Sequence, residues 1–279
     1  MLFTTTTSSD HFQLYVPAYA HFLSKAYPDA DILVNLTGGM SSLNSEAVKH
    51  LGPKVTIKEN TCPNLPQLPS SVNLLRFLVP PGGEWDYCII TDADLLLFPG
   101  DVSHFEWHKR QMDSIGACYY AHHGPYKYPE RFEGGWHGRR ERQAGGFVLV
   151  TREWVERTSN IREALLLLLM QGKLGTYREE DEVTLCNINK SCGFPIDKNK
   201  RFPAELRGIH LGDFKESMTH RWTNIPKMEG KLTDRNIRNY LVSEQIDSTW
   251  AGIKGLILKD PTIKAIFSNL NTHIRLRAK

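Results

Sequence analysis

The stretch DYCIITDADLLLF, residues 86 to 98, constrains the fold more than any other part of the chain. Its apolar run reads as a strand buried in a core. Two acids one residue apart, Asp92 and Asp94, stand where that strand emerges. A buried carboxylate without a partner is costly and two side by side repel, so their placement needs a reason.

Around this run, apolar periodicity alternates between strand-like and helix-like segments. It predicts a short strand at 2–5, a helix from about 12 to 27, a strand over ADILVNL (30–36), a helix from about 44 to 50 and a strand over KVTIKE (54–59). SSVNLLRFLVP carries a Ser cap and a Pro stop, which predicts a short helix feeding the 86–91 strand. Further strands are expected at Ser114–Ala121 and Gly145–Thr151, and helices at about Glu153–Met170 and Glu180–Asn189. The Pro/Gly-rich segment 191–204 reads as loop, and the chain beyond about Thr219 as a polar helical tail. Such alternation argues for an α/β fold whose central, mostly parallel sheet is flanked by helices. At 279 residues and 41% hydrophobic content the chain can bury a sizeable core.

Charge and cysteine usage narrow the function classes. With 34 basic and 31 acidic residues the formal charge is +3, too balanced for wholesale wrapping of nucleic acid, so any anion site is local. Five cysteines form an odd set without a CxxC pair, and no charged-then-apolar leader opens the chain; both lead us to expect a reduced, cytoplasmic setting. The longest apolar run, Ala164–Met170, is far below the roughly 20 residues that a membrane span requires.

The acidic pair has two readings. Asp92 and Asp94 can cap whatever follows the strand, as Asp does at turns and helix starts. Alternatively, they stand where open α/β sheets bind ligands, just beyond the carboxyl ends of the strands. Two carboxylates there call for a cation. A hard divalent ion takes oxygen ligands, relieves the repulsion and bridges to phosphate oxygens.

With these residues in order, the chain resembles the GT-A glycosyltransferases, most of all the family 8 enzymes that use nucleotide-sugar donors. The resemblance spans roughly residues 1 to 215. FTTTTSSDHFQLYVPAYAHFLSKAYPDADILVNL is similar to the family's nucleotide-binding first strand and helix, and LRFLVPPGGEWDYCIITDADLLL to its Arg-containing helix, strand and metal-binding DxD. QAGGFVLVTREW looks like the strand beside the sugar, EEDEVTLCN takes the place of the segment near the anomeric carbon, and GIHLGDFK resembles the segment that closes over the diphosphate. The resemblance implies a GT-A catalytic domain over 1–218, with 219–279 as a helical extension packing on it. It implies metal ligation by Asp92, Asp94 and His210, and a catalytic carboxylate at Asp181 or Glu182. Donor contacts are implied at Thr5, Thr6, Asp10, Arg76, Ala93, Gln143, Ala144, Gly145, Gly212 and Lys215.

Physical chemistry weighs each of these against a plainer role. An imidazole ligand suits Mn²⁺ better than Mg²⁺, whereas a lone His is commonly structural. Gly212 can let backbone approach phosphate and Lys215 can neutralise it, yet most Lys is solvated. Arg76 can hold a phosphate or an Asp carboxylate bidentately, or snorkel at the surface. Thr5, Thr6 and Asp10 can meet uracil and ribose, or form a polar loop with a helix cap. The acidic run Glu179–Glu182 can be a solvated helix start, and a carboxylate from it facing a cleft would stabilise an oxocarbenium-like sugar or, in an inverting enzyme, act as general base. Trp136 and His137, in the basic Gly-rich loop RFEGGWHGRRERQ, are candidates to meet an acceptor sugar. The apolar stripe of the C-terminal tail, Ile253, Leu256, Ile257, Ile263, Ile266, Phe267 and Leu270, reads as core packing or as a basic amphipathic surface docked on anionic lipid.

The expectation is a metal-dependent transferase moving a hexose from a UDP-sugar to a hydroxyl on a glycan, lipid-linked sugar or protein, with Mn²⁺ (or Mg²⁺) as cofactor, retention of configuration and no specific nucleic acid partner. The rivals are inverting transfer, nucleotidyl transfer, and a binding module for glycan or nucleic acid. A nucleotidyltransferase would want a Gly-rich basic loop after the first strand, and TTTTSSD has neither glycine nor base.

Overall fold

The computed structural model describes residues 1–8, 12–99, 103–123, 143–176, 180–197, 208–210, 248–261, 263–265 and 267–268. In chain order the elements are β1 (Leu2–Thr7), a 3₁₀ turn (Phe12–Tyr15), α1 (Val16–Ala26), β2 (Asp31–Leu36), α2 (Ser42–Val48), β3 (Val55–Lys58), α3 (Ser71–Leu78) and β4 (Tyr87–Thr91). They continue with β5 (Leu95–Leu97), α4 (His104–Ser114), β6 (Tyr119–His123), β7 (Gln143–Thr151), α5 (Arg152–Met170), α6 (Glu180–Ser191), β8 (Gly208–His210) and α7 (Ser248–Ile257). The chain divides into two compact units: Met1–Thr6, Thr61–Asp92 and Phe105–Phe202 form the first, and Thr7–Asn60, Ala93–His104 and Pro203–Lys279 the second. The described part of the expected 219–279 extension, from Ser248 onward, belongs to the second unit.

The first unit is built on strands in the order β1-β4-β7-β6. β1 runs parallel to β4, pairing Leu2 with Cys88 and Thr4 with Ile90. β7 runs antiparallel to both neighbours, with Cys88 opposite Val150 and Thr91 opposite Phe147 on one side and Tyr119 opposite Val150 on the other. Because side chains alternate along a strand, Cys88, Ile90, Val148 and Val150 share one face. They form a core with Leu74, Leu75 and Leu78 of α3, Trp154, Leu165 and Leu169 of α5, and Leu185 and Ile188 of α6. The next residue of β7, Phe147, points to the opposite face, where its ring meets Phe3 edge-on at 6.4 Å and His108 of α4 at 4.1 Å.

α4 differs from the sequence expectation, which began a strand at Ser114. The helix occupies 104–114, and the strand starts at Tyr119. Its buried positions are His104, His108 and Met112, a regular spacing of four filled twice by a residue type that reads as polar.

In the second unit β2 pairs in parallel with β3, Ile32 opposite Val55 and Val34 opposite Ile57. A Pro in the first turn of α1 and the Ser41 hydroxyl, which accepts from the Asn44 N–H at 3.3 Å, start the two helices that follow β1 and β2. β5 and β8 form a short antiparallel ribbon, Leu95 opposite His210 and Leu97 opposite Gly208. Tyr15, Ala18 and Phe22 of the 3₁₀ turn and α1, Ala47 of α2, Leu96 and Phe98 close around Trp250, Ile253 and Ile257 of α7. Trp250 meets Phe22 at 4.9 Å and stacks on His21 at 5.3 Å. The tail stripe is therefore core: Ile253, Ile257, Ile263 and Phe267 are buried, while Ile266 and Leu270 lie outside the described residues. Among the described residues no helix is long and apolar enough to cross a membrane.

Candidate active site

α3 is buried nearly all round: Ser71, Leu74, Leu75, Phe77 and Leu78 are enclosed, and so is Arg76, whose side chain is 4% exposed. A guanidinium in such a place must be paired. Two carboxylates answer it. One Nη donates to Oδ1 of Asp92, the first residue past β4, and the other to Oδ2 of Asp181 at 3.1 Å. The surface-snorkelling alternative for Arg76 is thereby excluded. Its side chain spans Asp92 and Asp181 instead of reaching water.

Asp181 stands in the first turn of α6, where the helix dipole favours an anion, and its carboxylate also accepts the Glu182 backbone N–H. Its pKa is nevertheless raised: burial is the largest cause, the Asp92 charge adds to it, and the pull of Arg76 opposes both without prevailing. Burial works against the charge of Arg76, but Asp92 and then Asp181 outweigh it and hold the guanidinium above its ordinary value. One cation is thus shared by two anions. Asp92 is the outward member, its side chain 26% exposed against 6% for Asp181. Among the described residues the buried Nε of Arg76 has no hydrogen-bond partner. The bridge stands at the carboxyl end of a central strand, where open α/β sheets bind ligands.

The two helices that carry Arg76 and Asp181 are tied together. The Glu180 carboxylate accepts the Gly175 N–H at 2.8 Å, and the Gly175 carbonyl accepts the Ser70 N–H at 3.0 Å at the head of α3. Gly175 sits at φ +93°, which only glycine adopts without strain. The acidic run thus divides its work: Glu180 anchors the loop, Asp181 meets Arg76, and Glu182 is half-buried beside them. Glu179 lies outside the described residues.

Gln143 departs from the expected donor contact. Its side chain is wholly enclosed, donating to the Tyr119 hydroxyl at 3.1 Å and accepting from Asn189 at 2.6 Å. Asn189 in turn accepts from the Trp154 indole at 2.7 Å. Every polar atom of the Gln143 amide that could reach a sugar is engaged in joining β7 to β6 and α6. The backbones of Ala144 and Gly145 follow it in β7, and their side-chain positions are not described. Sequence reading missed this network, since nothing in the spacing of Tyr119, Gln143, Trp154 and Asn189 announces it.

Thr5, Thr6, Ala93 and Asp94 are described as well. Thr5 is fully buried and its hydroxyl has no hydrogen-bond partner among the described residues, while Thr6 is half-buried. Ala93 and Asp94 are buried just before β5. Asp94 is close enough to the Tyr15 phenol to add to the rise in its pKa, which burial mainly causes. In the β5–β8 ribbon His210 lies opposite Leu95, the residue after Asp94, so the backbone brings these two expected ligands to the same end of one ribbon. Among the described residues no three His, Cys, Asp or Glu gather to hold a metal, and the His210 side chain is not among them. Asp10, Trp136, His137, Gly212 and Lys215 also lie outside the described residues. None of the five cysteines forms a disulfide, and burial pushes Cys118 up to about 11 and Cys62, Cys88 and Cys192 upward too, which makes these four poor nucleophiles.

No family model and no curated protein matches the chain. Solved structures do resemble it. An active-site mutant of LgtC shares 13% identity over 82% of this chain and 95% of its own, with a TM-score of 0.47. The galactosyltransferase LgtC in complex with donor and acceptor sugar analogues gives 13% over 83% and 95%, with a TM-score of 0.45. The glycosyltransferase GlyE of Streptococcus pneumoniae TIGR4, in its apo form, gives 11% over 68% of this chain and 43% of its own, with a TM-score of 0.41.

Proposed function

We propose that the protein is a glycosyltransferase that moves a hexose from a UDP-sugar to a hydroxyl on a glycan or glycoconjugate. The observation that carries this reading is the Arg76 bridge between Asp92 and Asp181 at the carboxyl end of β4. It agrees with the order of motifs along the chain: an Arg-bearing helix, a strand, an Asp-x-Asp pair and, much later, an acidic helix start.

The Arg76 contact favours Asp181 over Glu182 as the catalytic carboxylate. Held by Arg76 in a site of low polarity, it offers a fixed negative charge where a sugar leaving its diphosphate becomes positive, and such preorganised charge stabilises the transition state strongly. Arg76 orients it and favours its ionised form against the effect of burial. Asp92, Asp94 and His210 would hold a divalent ion through oxygen and imidazole donors, manganese before magnesium, and the register that sets His210 opposite the residue after Asp94 supports the last two as partners. When bound, that ion would neutralise the departing diphosphate. Retention of configuration is the favoured course.

Incubation of the purified protein with UDP-hexoses and MnCl₂ tests the proposal. We expect metal-dependent release or transfer of sugar, lost on chelation and reduced at least about 100-fold in Asp181→Asn, as when one charge-stabilising group is removed from an active site. Undiminished turnover in Asp92→Asn and Asp94→Asn would defeat it.

A further inference from the structure

We propose that Gly146 is a positioning residue, whose missing side chain gives Asp92 the room to reach Arg76. A Cβ built on residue 146 would lie 2.8 Å from Asp92 Oδ2 and 3.8 Å from its Cγ, and the first distance is closer than real Cβ contacts come. Backbone conformation does not account for the glycine, because Gly146 is absent from the positive-φ positions of the chain. A glycine within a strand weakens it and often marks a place where another group approaches closely. Here that group is a carboxylate.

Asp92 has little freedom to step aside. Its backbone N–H donates to the Gly146 carbonyl at 3.2 Å, so the two residues are locked across the ladder that also pairs Thr91 with Phe147. Its Oδ1 is bonded to Arg76, and the other arm of Arg76 is fixed to buried Asp181 at 3.1 Å. A methyl at 146 must therefore turn the Asp92 carboxylate out of the bridge. The importance of that geometry for sugar transfer rests on the function proposed above; the positioning itself does not.

A double-variant cycle tests it. Gly146→Ala is expected to lower the thermal midpoint by about 4 °C or more in the wild-type background, the shift that a loss of one or two kcal/mol produces in a chain of this size. In an Asp92→Ala background the same change should cost less than about 1 °C or raise the midpoint, because the clashing carboxylate is gone and alanine restricts the unfolded chain more than glycine. Equal losses in both backgrounds, or no loss in either, would overturn the proposal. Should Gly146→Ala alone be insoluble, recovery of soluble protein in the double variant supports the proposal and insolubility of both refutes it. Turnover of UDP-sugar by the unmodified protein separates the two readings: thermal coupling without turnover sinks the function and leaves the positioning standing, and turnover without coupling does the reverse.

Discussion

Arg76 is the residue on which the site turns, because its two carboxylates do not have equal access to water. Replacing it by Met would leave Asp181 buried and unpaired, and breaking such a pair from one side costs about 3–5 kcal/mol. Urea unfolding of Arg76→Met should show that loss, and Arg76→Lys should recover part of it, since one ammonium cannot span both acids with the fork of a guanidinium. The raised pKa of Asp181 has its own signature. The folded protein binds this proton more tightly than the unfolded chain, whose carboxyl titrates at its ordinary 3.8. The associated stability is full below that pH and is lost as pH rises through the window up to the raised value. Urea midpoints of the wild type should decline across that window, and those of Asp181→Asn should lack this component. The sequence made Arg76 and Asp92 legible as candidates because each interrupts an apolar run, and Asp181 because it lies in an acidic helix start at the place that the resemblance implies. That the three form one bridge depends on side chains 105 residues apart, which no local pattern encodes.

At the scale of elements, periodicity found most strands and helices because their buried faces are apolar. It failed at α4, where His104 and His108 occupy inward positions, and at the three-residue strands β5 and β8, which are too short to show a period. α6 is legible in length but not in meaning, for its buried side includes Asp181, Thr184, Asn187 and Asn189. Asn189 shows why: its amide joins Trp154 of α5 to Gln143 of β7, so a polar residue does the packing work of a hydrophobic one. Gln143→Ala would orphan the Asn189 amide, at a cost of about 1–3 kcal/mol. Chemical denaturation should register that loss, and calorimetric titration should find UDP binding within about twofold of the wild type among the folded molecules. The α3–α5 connection rests on another buried polar group. Arg162, enclosed and with burial holding its pKa below the ordinary value, donates to the Leu78 carbonyl at 3.0 Å and the Val155 carbonyl at 2.6 Å, closing the end of the helix that carries Arg76.

At the scale of the whole molecule, each of the two units draws on distant parts of the chain. The second closes α1, α2 and β5 around Trp250, and truncating that ring to Ala should cost about 3–5 kcal/mol, as for other large core aromatics. Loss of near-ultraviolet ellipticity at lower urea than in the wild type would report it. The same arrangement matters before the protein is finished. On the ribosome, Tyr15, Ala18 and Phe22 emerge more than two hundred residues ahead of the tryptophan that covers them. For most of synthesis the apolar flank of α1 must be shielded by a chaperone or by transient collapse, so a pause in translation short of α7 would leave it open to aggregation.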